Sequence, residues 1–200
     1  MYRFYLAAVD MLPAMLLLIP TYWILDALWI RNPAKSFFYC LFSCYLAVVY
    51  VLVGLPTVTY IHPEPNVNLI PVLGMVGDFK NSILNICLFI PLGLALPIGW
   101  KRYQHQRYVI RFGFCISVGI ELLQILTFRT TDVNDVITNT LGAYLGWQIA
   151  KIIMTKKLRI TGFAAKGKVY ELFAVLLIVL CLMFFLYPFI SAALWDWLLA

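Results

Sequence analysis

The chain has 200 residues, 64% of them hydrophobic and only 12% charged, with a net charge of +6 and a mean hydropathy of +0.91. Soluble domains carry about 25% charged residues, so this composition excludes a soluble domain of any size and implies an integral membrane protein. The basic excess lies in short gaps between apolar runs, which ties it to membrane topology and excludes nucleic acid as its partner.

Six apolar runs follow one another, at about 6–30, 37–57, 81–99, 108–128, 133–154 and 169–190. A spanning helix needs about 20 such residues. Backbone amides find no water in hydrocarbon, so spans are helices or closed barrels, and the alternating ten-residue pattern of a barrel strand is absent. The expected fold is therefore all-α, a polytopic transmembrane helical bundle of about six spans. Its expected parts are an N-terminal membrane segment at 1–35, a membrane domain at 36–190 and a C-terminal tail at 191–200. The first run carries Asp10, Asp26, Pro13 and Pro20 and has no basic start beyond Arg3, which speaks for a retained span and against a cleaved signal. It is also the weakest span, and the alternative is a helix lying along the membrane surface.

Arg31 and Lys35 follow the first run. Lys101, Arg102, Arg107 and Arg111 surround the third gap, and Lys151, Lys156, Lys157, Arg159, Lys166 and Lys168 fill the fifth. These 12 of the 15 basic residues fall on one side of an alternating topology. The positive-inside rule assigns that side to the cytoplasm, which puts both chain ends outside. The second gap, 58–80, is an expected outer loop rich in Pro and Gly, with His62 beside Glu64 and with Asp78 placed to cap the next helix. In the third run Asn81, Asn85, Phe89 and Gly93 recur at four-residue steps, one stripe with a polar outer end. The five cysteines lie in apolar runs without metal-ligand spacing and are expected to be free core thiols.

Polar residues concentrate between Glu121 and Gly146. A charge within the bilayer costs roughly 2.5–3.5 kcal/mol on insertion scales, so such groups point to function. Glu121 and Gln124 share a helix face. Thr130, Thr131 and Asp132 precede the fifth run as N-cap candidates. Asp135, Asn139, Gly142 and Gly146 form one stripe, polar at its outer end and small at its inner end, where a GxxxG lets another backbone approach. The short connection makes these two helices antiparallel neighbours whose polar faces can meet, with Asn85 of the third helix joining them. Arg129 is the available counter-ion for Asp132 or Glu121. Four uses stand open: an ion-pair and amide network that packs helices, a site for a hard divalent ion, general acid–base chemistry by Glu121 or Asp135, and ligand recognition without chemistry. No Ser or Cys nucleophile with a His partner and no Gly-rich phosphate loop occurs.

Taken together, N-L-I-P at Asn68–Pro71, N-I-C-L-F-I-P-L-G at Asn85–Gly93, E-L-L-Q at Glu121–Gln124 and R-T-T-D-V-N-D-V-I-T-N-T-L-G at Arg129–Gly142 resemble the VanZ-like family, over about 51–151. The resemblance implies a multi-pass protein of the bacterial plasma membrane and reduced susceptibility to teicoplanin. It places the family's polar motif residues on Asn85, Glu121, Gln124, Arg129, Asp132, Asp135 and Asn139. Two departures stand out: Val72 follows Pro71 where an aromatic is common, and the first run reads as an extra span ahead of a five-span core. The expectation is an outward-facing polar pocket that binds or modifies a cell-wall or lipid-linked precursor. Glu121, Asp132 and Asp135 are its candidate catalytic groups, and Asn85, Gln124, Arg129 and Asn139 its candidate binding groups. The partners implied are the lipid bilayer and a lipid-linked precursor or lipoglycopeptide, while no cofactor or metal is assigned. The alternatives are a non-enzymatic interaction protein and a small transporter or flippase.

Overall fold

The computed structural model describes residues 2–63, 67–68, 79–127, 131–155 and 167–199. Its elements are α1 (Tyr2–Leu25) with a π turn (Asp26–Ile30), α2 (Pro33–Leu52), β1 (Val67–Asn68), α3 (Phe79–Gly99), a 3-10 turn (Lys101–Gln104), α4 (Gln106–Gln124), β2 (Thr131–Asp132), α5 (Val133–Thr155), α6 (Val169–Cys181), a second π turn (Leu182–Leu186) and α7 (Tyr187–Leu199). The expected helical membrane architecture is present. Met11–Ile30, Pro33–Leu52, Phe79–Gly99 and Val169–Leu198 are long and apolar enough to cross a membrane. The last of these runs past 190, so the segment expected as a tail continues the final helix.

The chain forms two compact units, Met1–Ile61 with Tyr170–Ala200, and His62–Val169. In the first unit α1 lies against α2, joined where Ser36 Oγ donates to the Tyr22 carbonyl (3.0 Å) and Ser43 Oγ to the Tyr22 hydroxyl (2.7 Å). Asp26, costly within a span, has work at its end. Its Oδ1 accepts from Asn32 N (3.0 Å), while Asn32 caps α2 by accepting from Lys35 N (3.1 Å) ahead of Pro33. The helix expected to reach 57 stops at Leu52 because Gly54, at φ 64°, closes it. Gly54 N bonds to Val51 O and Leu55 N to Tyr50 O, the paired bonds of a Schellman end. The π turn in the last helix leaves the Phe184 carbonyl open to Val58 N (3.0 Å).

In the second unit α5 packs against α3 and α4, and most closely against α3. Gly142 and Gly146 explain why. A Cβ on Gly142 would strike the Ile86 carbonyl and come within 2.9 Å of Phe89 Cβ, and one on Gly146 would strike the Ile90 carbonyl and come within 2.9 Å of Leu94 N. The GxxxG thus seats the α3 backbone, as its spacing implies. The opposite face of α5 presents Ile137, Leu141, Leu145, Ile149 and Ile152, all exposed, while Asn134, Thr138 and Asn139 are buried. Polar residues inside and aliphatic ones outside are the inverse of a helix in water and suit one facing lipid. The inward polar groups dilute the overall hydropathy of α5, and for that reason composition alone does not mark it as a span.

At the other end of this unit Trp147 Nε1 donates to the Gln104 carbonyl (3.1 Å), fastening α5 to the turn between α3 and α4. Tyr103 in that turn packs edge-on against Phe112 (ring centroids 5.3 Å apart), and burial pushes its phenol pKa up. All five cysteines are free, but the expectation of core thiols fails for three: Cys87, Cys115 and Cys181 are exposed. They stand on apolar outer faces, where a thiol is as compatible with lipid as with a core.

Candidate functional site

The polar cluster is built on the end of α4 and the start of α5. Glu121, in the last turn of α4, is only 4% exposed. Its Oε2 accepts from Asp132 N (2.8 Å), and its main-chain carbonyl accepts from Thr131 Oγ1 (3.0 Å). Asp132 Oδ1 in turn accepts from Asn134 N and from Asn134 Nδ2, both at 2.8 Å. Asp132 is therefore the N-cap of α5, as its position implies. In a capping box the N-cap's own N–H is taken by a side chain three residues on. Here a glutamate from the preceding helix takes it. Two carboxylates can thus sit together because each receives N–H donors at a helix N-terminus, where the backbone dipole also favours negative charge.

One turn deeper the polar layer continues. Ser117, four residues before Glu121 and fully buried, accepts from Asn139 Nδ2 (2.9 Å). The Asn139 Oδ1 is buried and has no hydrogen-bond partner among the described residues. Gln124 is 4% exposed on the same face of α4 as Glu121, and its carbonyl accepts from Thr127 N and Thr127 Oγ1, both at 3.0 Å. Thr138 closes onto its own helix through Asn134 O (3.0 Å) and Asp135 O (3.2 Å).

The structure thus brings together Glu121, Asp132 and Gln124, with Asn139 beneath them, and sets Asp135 half-buried in the first turn of α5. Asn85 is half-buried on α3, and among the described residues no hydrogen bond links it to Glu121, Gln124 or Asn139. Farther along the same stripe Phe89 is buried and Gly93 lies against the Ala143 backbone of α5. Arg129, the expected counter-ion, lies outside the described residues, as does Asp78. The backbone supplies a link that no side chain announces: Val67 and Asn68 pair in parallel register with Thr131 and Asp132. His62 is exposed, and its N–H donates to the Leu126 carbonyl (2.9 Å) at the same end. Among the described residues no three His, Cys, Asp or Glu side chains converge as a metal site would require.

Ser117 and Asn134 are the cluster members that spacing alone does not select, although Ser117 shares a stripe with Glu121 and Gln124 at steps of four and three. A second polar group, in the other unit, is equally hidden. Lys35 Nζ pairs with Glu171 Oε1 (2.6 Å), and Tyr39 OH donates to Glu171 Oε2 (2.8 Å), beside a cavity of about 140 Å³. Nothing local links Lys35 to a residue 136 positions away.

A buried carboxylate, a buried hydroxyl and an amide oxygen without a donor among the described residues lie along the facing sides of α4 and α5. Acceptors of this kind pair with N–H and O–H groups. Comparison with known proteins puts this geometry in context. The model of the VanZ/LLP1 family matches residues 15–154. A curated protein, Protein VanZ of Enterococcus faecium, is 35% identical over 89 residues, covering 43% of this chain and 53% of that protein. The chain thus spans about half the length of the curated relative it matches. No solved structure matches it. The family match begins within α1, which the sequence pattern sets ahead of the core, takes in every element of the polar cluster, and ends in the last turn of α5.

Proposed function

Because the chain belongs to the VanZ/LLP1 family, we propose that it works in the bacterial plasma membrane as a lipoglycopeptide-resistance protein whose polar cluster binds a lipid-linked cell-wall precursor. Glu121 and the Asp132 cap form the rigid floor of the site, and Asn139 Oδ1 is the acceptor held for the ligand's N–H or O–H groups. The observation that carries this reading is that buried amide oxygen, unmatched among the described residues. A group present only to pack helices is expected to be satisfied, since leaving a buried acceptor unmatched costs about 1–3 kcal/mol. The charge distribution supports an outward-facing cluster, because the ends of α1, α3 and α5 carry the basic residues and the Glu121 cluster lies at the opposite end of α5. Cell-wall precursors carry their peptide and sugar at that outer surface.

Asn139→Leu tests it. Leucine has similar volume but cannot donate to Ser117 Oγ, so a packing role predicts a loss of about 1 kcal/mol of stability with an intact phenotype. The binding role predicts lost teicoplanin resistance at near-normal membrane level, beyond what that small change in stability explains. Retained resistance in a stable, well-expressed variant would overturn the proposal.

A further inference from the structure

At the end of the second unit remote from Glu121, basic residues gather without acidic ones. Between Lys80 and Glu121 the sequence holds Lys101, Arg102, Arg107 and Arg111 and not one Asp or Glu. The structure draws this charge inward. The guanidinium carbons of Arg102 and Arg107 lie 4.7 Å and 4.9 Å from the centroid of the same Tyr108 ring. Arg107 Nη2 also donates to the Tyr108 hydroxyl (3.3 Å). Two like charges held on one ring repel each other, and the ring offsets only part of that cost. Arg107 and Arg111 further stand in the opening turns of α4, where the helix dipole disfavours cations. An open recess of about 600 Å³, lined by His105, Gln106, Arg107 and Ile110, adjoins them. The bond from Trp147 to Gln104 brings in the inner end of α5, where Lys151 Nζ lies 5.4 Å from the Trp147 ring. Positional signals for topology need cations in a loop, but they do not need two guanidiniums converging on one tyrosine beside a recess.

We propose that Arg102, Arg107 and Tyr108 form a headgroup site for an anionic phospholipid at the membrane surface. The phosphate would neutralise the paired guanidiniums and meet the favourable pole of α4, while the acyl chains lie along apolar helix faces such as that of α4 at Ile110 and Phe114. Anionic lipid is favoured over a soluble anion because the recess stands at the end of membrane helices, where anionic lipids concentrate.

The test uses the full chain in detergent, with native mass spectrometry counting retained phosphatidylglycerol against phosphatidylcholine. The wild-type protein is expected to retain phosphatidylglycerol preferentially, and excess inorganic phosphate is expected to leave it bound. Arg102→Gln/Arg107→Gln should reduce the preference at least about tenfold, whereas Arg31→Gln/Lys80→Gln, with the same loss of charge, should leave it unchanged. Tyr108→Leu, which keeps the charge and removes the ring, should weaken it as well. Equal retention of the two lipids by the wild-type protein, an equal loss in the charge-matched control, or displacement by phosphate would each overturn the assignment. The wild-type comparison needs no variant and decides the matter even where a substitution impairs folding.

Discussion

Glu121 is held by its hydrogen bonds as an acceptor, its Oε2 on Asp132 N and its carbonyl under the Thr131 hydroxyl. Glu121→Gln keeps an oxygen at that position but loses the charge that favours the helix N-terminus. It should lower the thermal stability of the detergent-solubilised protein by about 1–2 kcal/mol, read as a lower melting temperature. Asp132→Ala removes the cap on Asn134 N, and a loss of about 1 kcal/mol is expected in the same measurement, with Asp132→Asn close to wild type. Much of this was legible beforehand. Asp132 before an apolar run reads as an N-cap, and the three-residue step places Gln124 on the face of Glu121. The bond from Glu121 to the cap was not legible, since it depends on the loop that brings residues 121 and 132 together. Ser117 is not legible in the sequence, because a serine in an apolar helix usually bonds to its own backbone, and only its position one turn below Glu121 hints otherwise.

Among the elements, α5 carries most of the specification. Its inner stripe of small residues seats α3, its buried polar residues face α4, and its exposed stripe is aliphatic. Gly142→Val and Gly146→Val place side-chain atoms against the Ile86 and Ile90 carbonyls and should abolish accumulation of folded protein, measured as membrane level and monodispersity in detergent. Gly119→Ala is the matched control. A Cβ there meets nothing within 4 Å, so higher helix propensity should leave stability unchanged or raise it by up to about 1 kcal/mol. The periodicity of α5 shows the stripe but not its partner. Chain order points to α4, the helix joined by a short connection, whereas the closest packing is with α3, because the carbonyls of α3 supply the surface that two glycines can reach. Neither α4 nor α5 is among the helices apolar enough to mark themselves as spans, because their aliphatic residues are averaged with charged and polar ones, Arg107, Arg111 and Glu121 in α4 and Asn134, Asp135 and Asn139 in α5.

For the whole molecule, the claim is one of sides: polar cluster out, basic turns in. In a variant lacking the five native cysteines, His62→Cys should react with an impermeant thiol reagent in intact cells, and Lys168→Cys only after permeabilisation. The reverse pattern would place the Glu121 cluster inside and end the outward-facing proposal. Composition and the succession of apolar runs make the membrane class readable from the chain alone. They do not show the two units or the Lys35–Glu171 pair, which depend on contacts between segments far apart in sequence.

The most direct measurement is binding of the purified protein, in lipid nanodiscs, to a lipid-linked disaccharide-pentapeptide precursor. Saturable binding that Asn139→Leu reduces at least about tenfold, in a variant that remains folded and monodisperse, is the predicted result; a tenfold loss corresponds to about 1.4 kcal/mol, the scale of one buried hydrogen bond. Absent binding, or equal binding by the wild-type protein and the variant, would show that the buried polar residues between Glu121 and Gly146 serve packing alone.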